Sequence, residues 1–141
     1  MGDLTSQAIV YSPIERVFSF VASPWNAPRY ISSIKRIIAG PNGPPAVGQT
    51  WQAEAGFLGR RSLIELRLQA LRSPGLVRFS IEGEPQATLA LHLAQAGDPD
   101  HTRVALSLDV PSVPSIFLSA LMSPLLAGDI ERLKEILEAN G

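Results

Sequence analysis

The chain contains two histidines, and neither has the neighbours that histidine chemistry requires. His92 lies at a water-facing position of a predicted strand and His101 lies in an aspartate-rich turn, so both are interpreted as surface residues. No second histidine stands at i+4 or across a short loop, and the chain has no cysteine, so we predict no metal site. Asp98 and Asp100 fit the turn itself, where aspartate bonds to nearby backbone.

Serines and glycine-rich loops are the other places where chemistry is commonly found. Ser12, Ser23 and Ser32 lack a GxSxG elbow and an obvious histidine partner, so helix capping is favoured over nucleophilic catalysis. The loops at 40–48 and 56–59 lack the GxGxxG and GK[ST] patterns, which favours turn geometry over phosphate binding. We therefore predict no catalytic residue and no cofactor.

The orientation of Glu54 depends on the parity of its strand. If Trp51, Ala53 and Phe57 face inward, Glu54 faces water; the opposite parity would bury it as a plausible general base. We favour the first arrangement, because Trp51 and Phe57 supply large apolar area. The small Ala53 and Ala55 between them leave room that either a ligand or a packed helix fills.

Length and composition limit the possible classes of protein. The chain has 141 residues, of which 45% are hydrophobic and 18% charged, and its net charge is −1. This balance excludes the basic stripe of a nucleic-acid binder, and the length suits one domain spanning 1–141. No signal peptide or membrane span is predicted, so we expect a soluble, cytoplasmic protein without stable membrane insertion.

The amino-terminal part predicts a strand followed by two short helices. The strand covers Leu4–Tyr11, and Ser12, Pro13 and Glu15 then match the N-cap, N1 and N3 positions of a capping box. A second short helix or pair of turns is predicted over Trp25–Ile31.

The middle of the chain predicts a meander of antiparallel strands. Apolar and polar residues alternate in segments that are separated by turns too short for parallel crossovers, apart from the loop at 40–48. The predicted strands are Ile34–Ala39, Gln49–Phe57, Arg61–Leu71, Val77–Glu82, Ala87–Ala94 and Arg103–Val110.

The last thirty residues predict one long helix with two different halves. The segment Val113–Ala127 has no charged residue and is apolar nearly all round, and Pro124 predicts a kink. Residues 129–139 are amphipathic, and Asn140–Gly141 suits a C-terminal cap. The polar face offers two surface pairs, Arg132 with Glu135 and Lys134 with Glu138.

Three segments resemble the START-like superfamily, also called SRPBCC, which includes polyketide cyclases and lipid-transfer proteins. They are AIVYSPIERVFSFVA at 8–22, PWNAPRY at 24–30 and VGQTW at 47–51. The resemblance implies an α+β helix-grip fold, in which a curved antiparallel sheet of six to seven strands wraps the C-terminal helix and an apolar cavity lies between them.

Fold and apolar pattern together favour binding of a hydrophobic or amphipathic small molecule, such as a lipid, an isoprenoid or a polyketide-like compound. The predicted ligand-binding residues are Trp25, Tyr30, Trp51, Ala53, Phe57, Leu66, Phe79, Leu91, Leu106, Phe117, Leu121 and Leu125. One alternative is a cyclase or dehydratase that would act through Glu54, Glu82 or His92. Another is a partner-binding or assembly role, including a homodimer, through Ile116–Leu126.

Several basic residues are interpreted as water-facing, although any of them could pair with an acidic head group at the cavity mouth. They are Arg29, Lys35, Arg36, Arg60 and Arg61.

Overall fold

The structure, a computed structural model, describes residues 3–57, 59–83 and 86–139. The strands are β1 (Asp3–Val10), β2 (Ile34–Ala39), β3 (Thr50–Phe57), β4 (Arg60–Arg72), β5 (Leu76–Glu82), β6 (Ala87–Ala96) and β7 (Asp98–Asp109). The helices are α1 (Ile14–Ala22), α2 (Ala27–Tyr30) and α3 (Ser115–Ala139), with a 3₁₀ turn over Pro24–Asn26 between α1 and α2.

All seven strands form one antiparallel sheet in the order β1-β7-β6-β5-β4-β3-β2. Six strands follow one another as a meander, and β1 closes the arrangement by pairing with β7, with Leu4 opposite Leu108. The sheet is curved and faces the long helix α3, so the predicted α+β helix-grip fold is confirmed.

Alternation along the strands produces one buried face. Leu66 and Leu68 are buried on β4 with the exposed Arg67 between them, and Leu106 is buried on β7. The second half of α3 packs its apolar residues, including the fully buried Leu133, into the same core. A slip of one residue in any central strand would put apolar side chains in water, so the register is strongly determined.

The predicted capping box before α1 is wrong. The helix begins at Ile14, the N-cap position is occupied by Pro13 and no side chain caps the helix. Ser12 is buried instead against β7, where its carbonyl oxygen accepts a hydrogen bond of 2.7 Å from Thr102 Oγ1. This contact holds Ser12 away from the helix start, and its hydroxyl has no hydrogen-bond partner among the described residues.

The predicted turn at 97–100 is shorter than expected, because β7 already begins at Asp98. Gly97 has a φ of 89°, a conformation that glycine adopts without strain, and this allows the reversal after β6. Asp98 still accepts a hydrogen bond of 2.9 Å from the Asp100 amide. His101 therefore lies in a strand rather than in a turn, 2.7 Å from the Asp98 carboxylate.

Helix α3 runs without interruption through Pro124, and the kink there stays a prediction. Among the predicted surface pairs, Lys134 with Glu138 is confirmed, whereas Arg132 bonds to the Asp129 carboxylate and not to Glu135. The predicted cap at Asn140–Gly141 lies outside the described residues. Within those residues, no helix is both long enough and apolar enough to cross a membrane.

The contact between α3 and the sheet predicts a strong stability effect at Leu133. Replacing this fully buried side chain by alanine, Leu133→Ala, should lower the free energy of unfolding by about 2–5 kcal/mol in urea titrations, because a cavity replaces packed methyl groups. Glu135→Ala, on the exposed side of the same turn, is the control and should change it by less than about 0.5 kcal/mol. Equal effects for the two variants would contradict this packing.

Candidate ligand-binding site

A pocket of about 170 Å³ lies between the inner face of the sheet and the first half of α3. Its walls come from the segment after α2, from strands β2 to β7, from the connection between β7 and α3, and from α3. The apolar lining residues are Ile31, Ile34, Ala55, Gly56, Ile64, Ile81, Ala87, Leu89, Leu106, Leu108, Val110, Val113, Leu118, Leu121, Met122 and Leu126. The polar lining residues are Ser33, Ser62 and Asp129.

Side-chain size along the sheet explains where this space occurs. The inward positions below the first half of α3 are occupied by small residues, Ala55 and Ser62 on paired strands and Ala87 two strands away. Further along the same strands, Trp51 and Leu66 are buried and paired, and neither lines the pocket. The sheet is therefore filled by its own side chains at one end and left open at the other.

Asp129 is the one titratable group among the described residues of the pocket wall. Its side chain is 5% exposed, and its Oδ1 accepts a hydrogen bond of 3.1 Å from the Ser32 amide and a further bond from Arg132. Burial raises the pKa of this carboxyl above its ordinary value of 3.8, and the bonds from Ser32 and Arg132 oppose the shift. The Ser32 hydroxyl is buried nearby, and no described residue forms a hydrogen bond with it.

Tyr30 lies close enough to Asp129 for the two side chains to interact electrostatically. Its side chain is almost completely buried at the end of α2, and burial raises the pKa of the phenol, with the Asp129 carboxylate adding to the shift. The phenol therefore stays neutral at physiological pH. It can donate a hydrogen bond, but it does not line the pocket.

The sequence-predicted ligand residues fall into five groups. Leu106 and Leu121 line the pocket, and Leu125 lines a second pocket beside it. Buried residues that lie in the packed core are Tyr30, Trp51, Ala53, Leu66, Phe79 and Leu91. Trp25 and Phe117 are exposed, and the Phe57 side chain lies outside the described part of the chain. A ligand role for any of them stays a prediction.

None of the residues proposed for an enzymatic alternative lines the pocket. Glu54 lies on the outer side of β3, as expected from the favoured parity, and pairs with Arg36 and Arg61. His92 is exposed, and Glu82 is half-buried and accepts a hydrogen bond from Gln86. Within the described ranges, no group of three or more potential ligands could hold a metal ion.

Sequence reasoning missed Asp129, Ser62 and Ala87. A signal for Asp129 was present, because it stands between Leu126 and Leu133 at spacings of three and four on the buried stripe of α3. A carboxylate on such a stripe indicates a special environment. Ser62 and Ala87 carry no comparable signal, since small residues are also common in packed sheets.

The sequence matches no family model and no curated protein. Solved structures nevertheless match it over nearly its whole length. A START superfamily protein from Mycobacterium smegmatis superposes with a TM-score of 0.80 at 17% identity, covering 99% of each chain. A protein from Chromobacterium violaceum gives a TM-score of 0.72 at 13% identity, covering 98% of this chain and 99% of that one.

An aromatase/cyclase named Zhui, from a Streptomyces species, gives a TM-score of 0.73 at 11% identity and covers 98% of this chain and 94% of its own. The strand order, the curved sheet that surrounds α3 and the similarity to these solved structures all indicate an α+β helix-grip fold. The START superfamily protein and the aromatase/cyclase have the same fold as this chain. At these identities the likeness establishes the fold alone.

The raised pKa of Asp129 predicts a pH-dependent effect of Asp129→Asn. The pKa of Asp129 is higher in the folded than in the unfolded state, so ionisation is easier in the unfolded chain. The carboxyl therefore lowers the free energy of unfolding as pH rises from 3.8 to the pKa of the folded state. The free energy of unfolding of Asp129→Asn should therefore increase relative to wild type from about pH 4 upward and level off above the folded pKa. Urea titrations at a series of pH values measure this difference. A constant difference would contradict the assignment.

Proposed function

We propose that the protein binds a hydrophobic or amphipathic small molecule in the pocket between the sheet and the first half of α3. The observation that carries this proposal is the chemistry of the wall, whose described residues include sixteen apolar residues and a single titratable group. Removing apolar surface from water makes the free energy of binding more favourable by roughly 25 cal/mol per Å².

The size of the pocket favours a ring or a short aliphatic segment. Its 170 Å³ is close to the volume of about 150 Å³ at which an apolar cavity in another protein binds benzene. An isoprenoid, an aromatic polyketide-like compound or one end of a lipid has such a segment. The fold is shared with a START superfamily protein and with an aromatase/cyclase, which supports a ligand-binding role.

Among the described residues of the pocket wall, Asp129 is the titratable group that could act as an acid or base on the bound molecule. The three candidates from the sequence do not line the pocket, and the Asp129 carboxylate is already held by Ser32 and Arg132. A carboxyl in this setting suits orientation of a ligand hydroxyl or amide better than repeated proton transfer. We therefore favour binding over catalysis.

Filling the pocket with protein should abolish binding. In Ala55→Phe, the new ring would occupy the space above β3, so a neutral hydrophobic dye such as N-phenyl-1-naphthylamine should lose its saturable fluorescence increase. Native mass spectrometry of wild type purified without detergent should also show a bound species that the variant lacks.

Ala94→Phe is the matched control, because Ala94 is exposed on β6 and does not line the pocket. It should bind the dye like wild type. If wild type has no saturable dye site, or if Ala55→Phe remains folded and binds normally, the proposal is wrong.

Self-association is a second candidate function, supported by the outer side of α3. Four apolar side chains are exposed there: Ile116, Phe117, Leu121 and Leu125. Because no residue from 113 to 127 is charged, two copies of this face can meet without burying an unpaired charge. The expected occupant is therefore a second copy of the chain.

Phe117→Glu tests this candidate, since Phe117 is 60% exposed and the change should leave the fold intact. Sedimentation velocity over a concentration series should show association of wild type and a monomer for the variant. Substitutions at Leu118 or Met122 are unsuitable, because both side chains are buried and their loss would test folding instead. A wild type that stays monomeric throughout would contradict self-association.

A further inference from the structure

We infer that the ligand is an anionic amphiphile, whose charged head is held by Lys35, Arg60 and Arg61 in a second pocket at the mouth of the first. This inference rests on the proposed binding function and names the chemical class of the ligand. It is carried by the position of the three basic residues relative to the apolar pocket.

The second pocket has a volume of about 470 Å³ and is formed by four segments. Ser32 and Ser33 come from the connection between α2 and β2, and Leu125 comes from α3. The β3–β4 hairpin and the start of β2 supply the rest of the wall, Gly56, Gly59, Arg60, Arg61 and Lys35. Three basic side chains therefore contribute to this wall, whereas the described residues that line the apolar pocket include none.

The two pockets adjoin each other, because Ser33 and Gly56 line both. Gly56 allows the Lys35 side chain to lie across this junction, since a Cβ atom at position 56 would come within 2.6 Å of Lys35 Cε. One molecule can therefore occupy the apolar pocket with its tail and reach the basic residues with its head. The Lys35 side chain lies against Gly56, which lines both pockets.

Much of the positive charge at this mouth is uncompensated. Neither Lys35 nor Arg60 has an ion-pair partner among the described residues. Arg61 donates a hydrogen bond of 3.2 Å to Glu54 Oε1, which also accepts one of 3.3 Å from Arg36 just outside the pocket. The local surplus contrasts with the net charge of −1 for the whole chain.

Charge also determines the orientation of the ligand. The part of the apolar pocket wall that the structure describes has no basic residue and contains the Asp129 carboxylate, which opposes entry of an anion. The head therefore stays in the second pocket while the tail enters the first. The guanidinium group of arginine donates two parallel hydrogen bonds to paired oxygens of a carboxylate or a phosphate. The head is therefore a carboxylate or a phosphate monoester.

The test compares ligands that share one tail and differ in the head. Octanol, octanoate and octyl phosphate compete with N-phenyl-1-naphthylamine for wild-type protein at pH 7.5 and low ionic strength. At least one of the anions should bind about fivefold or more tightly than octanol, and added salt should reduce the preference. The tighter anion identifies the head group.

Lys35→Gln/Arg60→Gln removes the two unpaired cations and leaves the pair between Arg61 and Glu54 in place. In this variant the affinity for the anion should fall to about that for octanol itself. Arg72→Gln/Arg103→Gln makes the same charge change at exposed positions away from both pockets and should keep the preference.

The possible outcomes separate this inference from the proposed function. If octanol binds but neither anion binds more tightly, the inference is wrong and the proposed function stands. The same conclusion follows if the control variant loses the preference as fully as Lys35→Gln/Arg60→Gln. If none of the three compounds displaces the dye and the dye itself has no saturable site, the proposed function is wrong and the inference fails with it.

Discussion

The architecture depends on a mismatch between the inner face of the sheet and the helix that it surrounds. Along its second half, α3 presents Ile130, Leu133 and Leu137 to a sheet surface filled by large side chains, and the contact is tightly packed. Along its first half, α3 faces small residues such as Ala55 and Ala87, and its own side chains do not fill the gap. Close packing at one end thus holds the helix at a distance that leaves space at the other.

Asp129 lies where these two halves meet. Its carboxylate accepts a hydrogen bond from the Ser32 amide, which connects α3 to the segment that follows α2. The same carboxylate is held by Arg132 and forms part of the pocket wall. A buried charge of this kind reduces stability compared with a well-packed apolar residue. Its placement is understandable if a polar atom is needed at this point of the pocket or if it fixes the position of the loop.

The sequence predicted the fold better than it predicted the site, for physical reasons that differ between elements. The alternation in β4 and β7 determines the buried face without any tertiary information, and β2 was predicted to the residue. The capping box failed because Ser12 is held by Thr102, a residue 90 positions away. The site is harder still, since an open space depends on the sizes of residues that meet from six strands and a helix, and pattern alone does not reveal their sum.

The first half of α3 connects the pocket to the outer surface. Leu121 lines the apolar pocket and is 44% exposed, and Leu125 lines the second pocket while also lying on the outer apolar face. A molecule that fills either pocket therefore contacts side chains that a second copy of the chain would also cover. Because the same atoms cannot be removed from water twice, the free energies of ligand binding and of self-association are not independent. Ligand binding should thus alter association wherever both use these leucines.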